Sequence, residues 1–333
     1  MVLREITDAP LILPSGSWIG EIVTETFSNS PDFVRRMLPG VRAVLSFFER
    51  YQKENGSLRL LPWWRYFDWV PSWPSGNAPA ESDGSSAPFD LLLLLAYRWA
   101  GEMENALGRP AQGDFDFAHE RQLRDTARHL YGAGDLFADT PARRQFSQHT
   151  NTLAVLADLV TGSAARDLMR RVVDAPPPAG SPGLAAPGLF FQFYVHQALA
   201  KVGDGDSYLD RLGPWRDMLA KGLTTFAEVV DRPGAPSRSD CHAWSASPNI
   251  EIFRTVLGVD AAAPGFRRVS VRPHLGKLKF VKGSVPHPRG SVQVEIEARA
   301  VRVVLPPGVT GIFEWGAERR ELAPGENRFS AGA

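Results

Sequence analysis

A chain of 333 residues with 37 Lys plus Arg against 37 Asp plus Glu has no net formal charge, so it lacks the field that would attract a nucleic acid or an anionic membrane. Its one cysteine, Cys241, excludes an intramolecular disulfide and a cysteine-based structural zinc site. The length suits two domains, and the nine Trp offer flat rings that suit a core or the apolar faces of sugars.

The opening MVLREITDAPLILPSGSW has acidic residues ahead of its short apolar run and no cleavage-like ending. No secretory signal is read there, and a cytoplasmic location is expected unless an export segment lies upstream. From Pro31 to Glu54, Phe33, Val34, Met37, Val41, Val44, Leu45 and Phe48 recur at spacings of three and four, which predicts an amphipathic helix ended by Asn55-Gly56. Residues 57–86 are rich in Trp, Pro, Ser and Gly, and so long a loop inside a compact domain is commonly functional. A helix buried on more than one side is predicted over about 87–107, stopped by Gly108 and Pro110. Its run LLLLLA at 91–96 is far too short to span a bilayer.

Shorter helical patterns follow near 118–131, 148–161, 163–173, 188–202, 207–220 and 247–257. Between them, 174–187 is a spacer of small residues and Pro, and 227–246 mixes charge with aromatics. After Pro264 the period shortens to two: Val292, Val294 and Ile296 alternate with Gln293, Glu295 and Glu297, and Val301 and Val303 continue the apolar face. Turn signals at Pro306-Pro307-Gly308, Gly316 and Pro324-Gly325 punctuate it, so residues 259–333 are predicted to form a small antiparallel β-sandwich behind a helical domain over 1–258.

Three stretches share an order and a character: FDWVPSWPSGNAPAESDGSSAPFDLLLLLAYRWAGEM, GLTTFAEVVDRPGAPSRSDCHAWSASPNIEIFRTVLGV and PGFRRVSVRPHLGKLKFVKGSVPHPRG. FSQHTN and LFFQFYVHQAL fall between the first two. Together they resemble the bacterial α-L-rhamnosidases of the six-hairpin class, over roughly residues 31 to 300. The resemblance implies a mainly α fold, an (α/α)6 toroid followed by the C-terminal antiparallel β-sandwich. It also implies inverting hydrolysis of terminal α-L-rhamnosides without a cofactor, on a rhamnose-containing glycan or glycoside. In such a reaction one carboxylic acid protonates the leaving oxygen and a second carboxylate deprotonates water on the opposite face. Glu228, in TTFAEVVD, matches the position of the general base.

The family's acid lies in an acidic and aromatic segment ahead of the helix matched by 31–54, and residues 1–30 carry no such pattern. Glu21 and Glu25 fit the helix that follows that segment and are non-equivalent to the acid. N-terminal helices of the toroid are therefore expected to be missing together with the acid. Two readings stay open: the base-bearing part of a rhamnosidase, or an inactive fragment or carbohydrate-binding relative. A polysaccharide lyase is a distant third, since the loops offer Trp, Asp and Glu rather than paired Arg and Tyr.

Asp68 and Trp69, in RYFDWV, resemble the loop that walls the rhamnose pocket, with the carboxylate accepting from sugar hydroxyls and the ring covering an apolar face. The plainer reading is loop capping by Asp68 and packing by Trp69. Trp63, Trp64 and Trp73 share that loop, and at least two of the four belong to core or rim. Asp240, His242 and Trp244 would share a face of an extended segment, with His242 holding a sugar hydroxyl or orienting a base. Alternatively, His242 stabilises the entry to the helix near Pro248, for which Ser247 is the expected N-cap. Cys241 would point the other way and be buried. His149, beside Gln148 at a helix start, serves either a sugar or the helix-end amides. His196 and the neighbouring aromatics read as core. No His pair has zinc-binding helical spacing, and no Gly-x-Gly-x-x-Gly, phosphate loop or Gly-x-Ser-x-Gly occurs, which disfavours metal, nucleotide and serine-hydrolase chemistry.

Overall fold

In the computed structural model, which describes residues 31–174, 183–229 and 239–331, helices precede two four-stranded sheets. The described chain divides into two compact units, one built on 31–202 and the other on 203–228 with 239–331. Residues 203–228 and 239–258 thus group with the strands.

In the first unit, α1 (Pro31–Glu49) buries Val34, Leu38, Val41, Leu45 and Phe48, the stripe its three-and-four spacing draws. It stops at Glu49 rather than Glu54 because the chain turns back, with Lys53 N–H donating to Ser57 O at 2.8 Å. In α2 (Ala87–Ala106) Leu91 to Leu95 are all buried, as five consecutive leucines require. α3 (Pro110–Tyr131) packs along α2. It begins eight residues earlier than the apolar periodicity of 118–131 indicates, with Pro at a first-turn position where its missing N–H costs nothing. The two helices approach closely where side chains are absent: a Cβ on Gly113 would meet Asn105 Oδ1 at 2.3 Å.

A two-stranded ribbon, β1 (Gly132–Ala133) and β2 (Leu136–Phe137), leads to α4 (Gln148–Leu156), α5 (Gly162–Val173) and α6 (Gln192–Lys201). The Ser147 hydroxyl caps α4 by accepting from Thr150 N–H at 3.2 Å. At the other end of α4, Arg98 of α2 donates to Leu156 O and Ala157 O at 3.3 and 2.6 Å, which ends the helix five residues short of the expected 161.

Buried carboxylates tie these helices together, each paired as its desolvation demands. Glu104, with no exposed surface, receives both arms of Arg42 at 2.5 and 2.7 Å. Asp90, fully buried at the start of α2, accepts from Leu58 N–H at 2.9 Å and Tyr131 OH at 2.6 Å. Burial outweighs these donors and pushes its carboxyl up to about 6. A folded-state pKa above the unfolded value of about 3.9 means that the group favours folding most when protonated. That contribution is present below about pH 4, is lost as pH rises towards 6, and is absent above it. Unfolding free energies of wild type and Asp90→Asn should therefore diverge across pH 4 to 6, in favour of the variant as pH rises, by on the order of 2 kcal/mol. A constant difference over that window would refute the assignment.

The second unit holds a 3-10 turn at Gly205–Arg211, α7 (Gly213–Ala220), a 3-10 turn at Ala243–Ser245, and α8 (Pro248–Glu251) running into a π turn at Ile252–Val256. Eight strands follow: β3 (Val259–Ala261), β4 (Arg268–Val271), β5 (Phe280–His287), β6 (Gly290–Glu297), β7 (Ala300–Leu305), β8 (Thr310–Trp315), β9 (Glu318–Leu322) and β10 (Gly325–Ser330). They form sheets ordered β10-β7-β6-β5 and β3-β4-β8-β9, antiparallel except where β4 and β8 run parallel. The chain leaves the second sheet after β4, builds β5 to β7 in the first, and returns in the same direction. Val292, Val294 and Ile296 of β6, Val301, Val303 and Leu305 of β7, and Val269, Val271 and Phe313 of the other sheet fill one apolar core. Among the described residues no helix is long and apolar enough to cross a membrane.

Candidate active site

The Trp-rich loop of the first unit folds back on itself. Phe67 and Asp68 donate their N–H groups to Gly76 O at 2.8 and 3.2 Å, around a turn in which Ser75 takes φ 53° and Gly76 φ 71°. A Cβ on Gly76 would lie 2.8 Å from the Tyr66 ring, so the turn needs glycine there for space as well as for conformation.

Asp68 faces inward from this loop, with 1% of its surface exposed. Its Oδ2 accepts from Gly188 N–H at 2.7 Å and lies 2.7 Å from Nε2 of His149, in the first turn of α4. A Cβ on Gly188 would sit 2.6 Å from Asp68 Oδ1, so only glycine brings that N–H into reach. His149 has no exposed surface, and its ring lies among Trp73, Phe191 and Phe67 at centroid distances of 4.4, 4.3 and 5.9 Å. Its Nδ1 has no hydrogen-bond partner among the described residues. Asp68 and His149 thus form an internal pair. Trp69 is half-buried, with its ring against Tyr66 at 5.0 Å and Trp64 at 6.2 Å. Trp73 is core, whereas Trp63 and Trp64 are exposed. His196 is buried in α6.

In the second unit, the segment after α7 runs beside the segment that carries His242. Glu228 N–H donates to Ser239 O and His242 N–H to Phe226 O, both at 2.8 Å. This pairing brings Oε2 of Glu228 to 3.9 Å from Nδ1 of His242, within electrostatic reach and longer than a hydrogen bond. The Glu228 side chain is 10% exposed and that of His242 24%. His242 Nε2 is buried without a hydrogen-bond partner among the described residues. Its ring meets Trp244 edge to face at 4.7 Å.

Strict alternation fails after His242, because residues 243–245 turn into a 3-10 helix. Trp215 Nε1–H donates to Ser245 O at 2.7 Å, and the Ser245 hydroxyl donates to Ala227 O, which pins the turn from two sides. Asp240 is exposed, and its backbone carbonyl accepts from the Thr225 hydroxyl. Two expectations are corrected. Cys241 is exposed rather than buried, in the bend at 240–241. Ser247 stands at the N-cap position of α8, but its backbone is already helical, at φ −52° and ψ −32°, so its hydroxyl makes no cap.

One constellation escaped the sequence reading. Asp139 is buried, accepts from the Ser147 and Thr150 hydroxyls at 2.6 and 2.5 Å, and has its pKa raised by burial. It fixes the start of α4 and hence His149. Nothing in the local pattern around Asp139 signals that partnership. Among the described residues no group of three or more His, Cys, Asp or Glu could hold a metal ion.

Residues 258–329 match the family model of the bacterial alpha-L-rhamnosidase C-terminal domain. A search of the curated proteins found no match. Among solved structures, a GH78 family rhamnosidase of Bacillus sp. GL1 aligns with a TM-score of 0.71 at 23% identity, over 87% of this chain and 32% of its own. The Streptomyces avermitilis alpha-L-rhamnosidase complexed with L-rhamnose aligns at 0.73 and 18% identity, over 93% and 32%. The alpha-L-rhamnosidase from Dictyoglumus thermophilum aligns at 0.72 and 15%, over 91% and 38%. The chain spans about a third of the length of these structures. It is similar to bacterial α-L-rhamnosidases in the fold of its described residues and, over 258–329, in the sequence of their C-terminal domain.

Proposed function

We propose that this chain is the base-bearing part of a glycoside hydrolase acting on terminal α-L-rhamnosides, with Glu228 as general base in an inverting reaction. On this reading the helices belong to an (α/α)6 toroid and the two sheets to a β-sandwich. The observation that carries the proposal is the placement of Glu228, a largely buried carboxylate held by backbone pairing and set 3.9 Å from an imidazole. A base of this kind takes a proton from water as the water attacks the anomeric carbon, while an acid on the opposite face protonates the leaving oxygen. No described residue is assigned to that acid.

His242 fits a supporting role as the group that orients the base, because its Nδ1 stands 3.9 Å from Glu228 Oε2 while its buried Nε2 has no hydrogen-bond partner among the described residues. Trp244, edge-on to that ring, holds its orientation. Asp68 and His149 act one step back, fixing the loop that carries Trp69. Support for the substrate comes from the family match over 258–329 and from the fold shared with a structure that holds L-rhamnose.

The test follows the anomer first released from an aryl α-L-rhamnoside, by proton NMR before mutarotation. β-L-rhamnose is expected. The α anomer would overturn inversion. Binding of L-rhamnose without turnover would favour the carbohydrate-binding reading instead.

A further inference from the structure

We propose that Ser245 is a positioning residue for Glu228: its hydroxyl, held in place by Trp215, clamps the peptide unit that precedes the carboxylate and so aims the side chain at His242. The catalytic part rests on the reading of Glu228 as a general base, whereas the clamp stands on geometry alone.

The C=O of Ala227 and the N–H of Glu228 belong to one peptide unit, planar by resonance, which swings as a plate about the line joining its Cα atoms. Both ends of that plate are held. The Glu228 amide donates to Ser239 O at 2.8 Å, and the Ala227 carbonyl accepts from the Ser245 hydroxyl. In the preceding unit, Phe226 O accepts from His242 N–H at 2.8 Å. With the swing blocked, φ at Glu228 is set, and with it the direction in which Cβ leaves the backbone. That direction brings Oε2 to 3.9 Å from His242 Nδ1.

Of these three bonds only one depends on a side chain. The amides of Glu228 and His242 are there whatever the residues are, but the bond to Ala227 O exists because residue 245 carries a hydroxyl. Ser245 and Ala227 are both buried, so an unmade bond here is not made good by bulk water. Ser245 is fixed in its turn. Its N–H donates to His242 O at 3.3 Å in the 3-10 turn, and its carbonyl accepts from Trp215 Nε1–H at 2.7 Å. Trp215 is buried in α7. From that helix the chain heads towards Glu228 through a glycine stop, in which Gly222 takes φ 77° and Leu223 N–H donates to Met218 O at 3.0 Å. The indole ties α7 to Ser245, the hydroxyl ties Ser245 to Ala227, and the backbone from Ala227 to α7 closes the circuit.

The experiment compares Ser245→Ala and Trp215→Phe with wild type by native-state amide hydrogen exchange, followed by NMR, and by kcat and KM on an aryl α-L-rhamnoside. In Ser245→Ala, exchange of Glu228 N–H is expected to accelerate by about tenfold or more relative to Val294 and Ile296 N–H, in the central strand β6 of the same unit. Its kcat should fall about ten- to a hundredfold, the scale of a misplaced reacting group, with KM within about twofold of wild type. Trp215→Phe keeps a ring, removes the indole donor, and should move both readouts in the same direction by less. Exchange at Glu228 that is unchanged, or that rises by one factor at all three amides, overturns the clamp, because the hydroxyl then adds nothing or serves the fold as a whole. Local acceleration with kcat at the wild-type value overturns the positioning role and leaves the rhamnoside reading standing. A wild-type protein that releases no rhamnose removes the reading of Glu228 as a base and the positioning role with it, while the exchange data still decide the clamp.

Discussion

Glu228→Gln is expected to lower turnover of an aryl α-L-rhamnoside by about 10² to 10⁴-fold while KM changes little. The magnitude is that of removing a positioned general base, because an amide cannot take a proton from the attacking water. The substitution keeps the side chain's shape and leaves both backbone bonds, Glu228 N–H to Ser239 O and His242 N–H to Phe226 O, untouched. Loss of activity with an unchanged unfolding midpoint would therefore report chemistry rather than folding. The loss should appear in kcat, since a base acts on the water and not on the bound sugar. A chemical rescue sharpens the test: for an inverting enzyme, azide supplied to Glu228→Gln can attack in place of the activated water and give a β-rhamnosyl azide. A Glu228→Gln protein that turns over as fast as wild type would end the assignment.

The sequence was most legible where one physical constraint acts locally. The stripe of α1 and the five leucines of α2 declared helices because burial repeats with the helical turn, and β6 and β7 declared strands because their apolar residues alternate. Legibility ended where a distant partner decides. The first turns of α3, PAQGDFDF, carry too few apolar residues to draw a stripe, and their helix is supported by packing along α2. The 3-10 turn at Ala243–Ser245 depends on Trp215, thirty residues earlier, whose indole holds Ser245 O. Motif matching placed Glu228 and His242 in one region, and the pairing of their segments shows how they meet. It also singled out Asp68 and His149 separately, but not as each other's partners. They stand 81 residues apart, and no periodicity spans that distance.

Asp68→Ala is expected to cost about 3 to 5 kcal/mol of unfolding free energy, read from the denaturant midpoint at constant slope. The carboxylate answers two donors at once, His149 Nε2–H and Gly188 N–H, each at 2.7 Å, the first fully buried and the second partly so. Alanine leaves both unsatisfied beside Trp73 and Phe191, and an orphaned buried donor loses its full desolvation. Asp68→Asn should cost less, because its carbonyl oxygen, set where Oδ2 stands, can still accept from both the Gly188 amide and His149 Nε2–H. His149→Phe fills a pocket already lined by aromatic rings and removes one donor along with its need for an acceptor. The double variant Asp68→Ala, His149→Phe should therefore be less destabilised than the sum of the two single changes, with a coupling of about 1 to 3 kcal/mol. Additive effects, or an Asp68→Ala cost under about 1 kcal/mol, would show that the pair does not hold the loop. The bond that anchors Asp68 fixes the backbone from which Trp69 and its neighbour Trp64 project, so the buried pair would set the aromatic surface without touching a sugar.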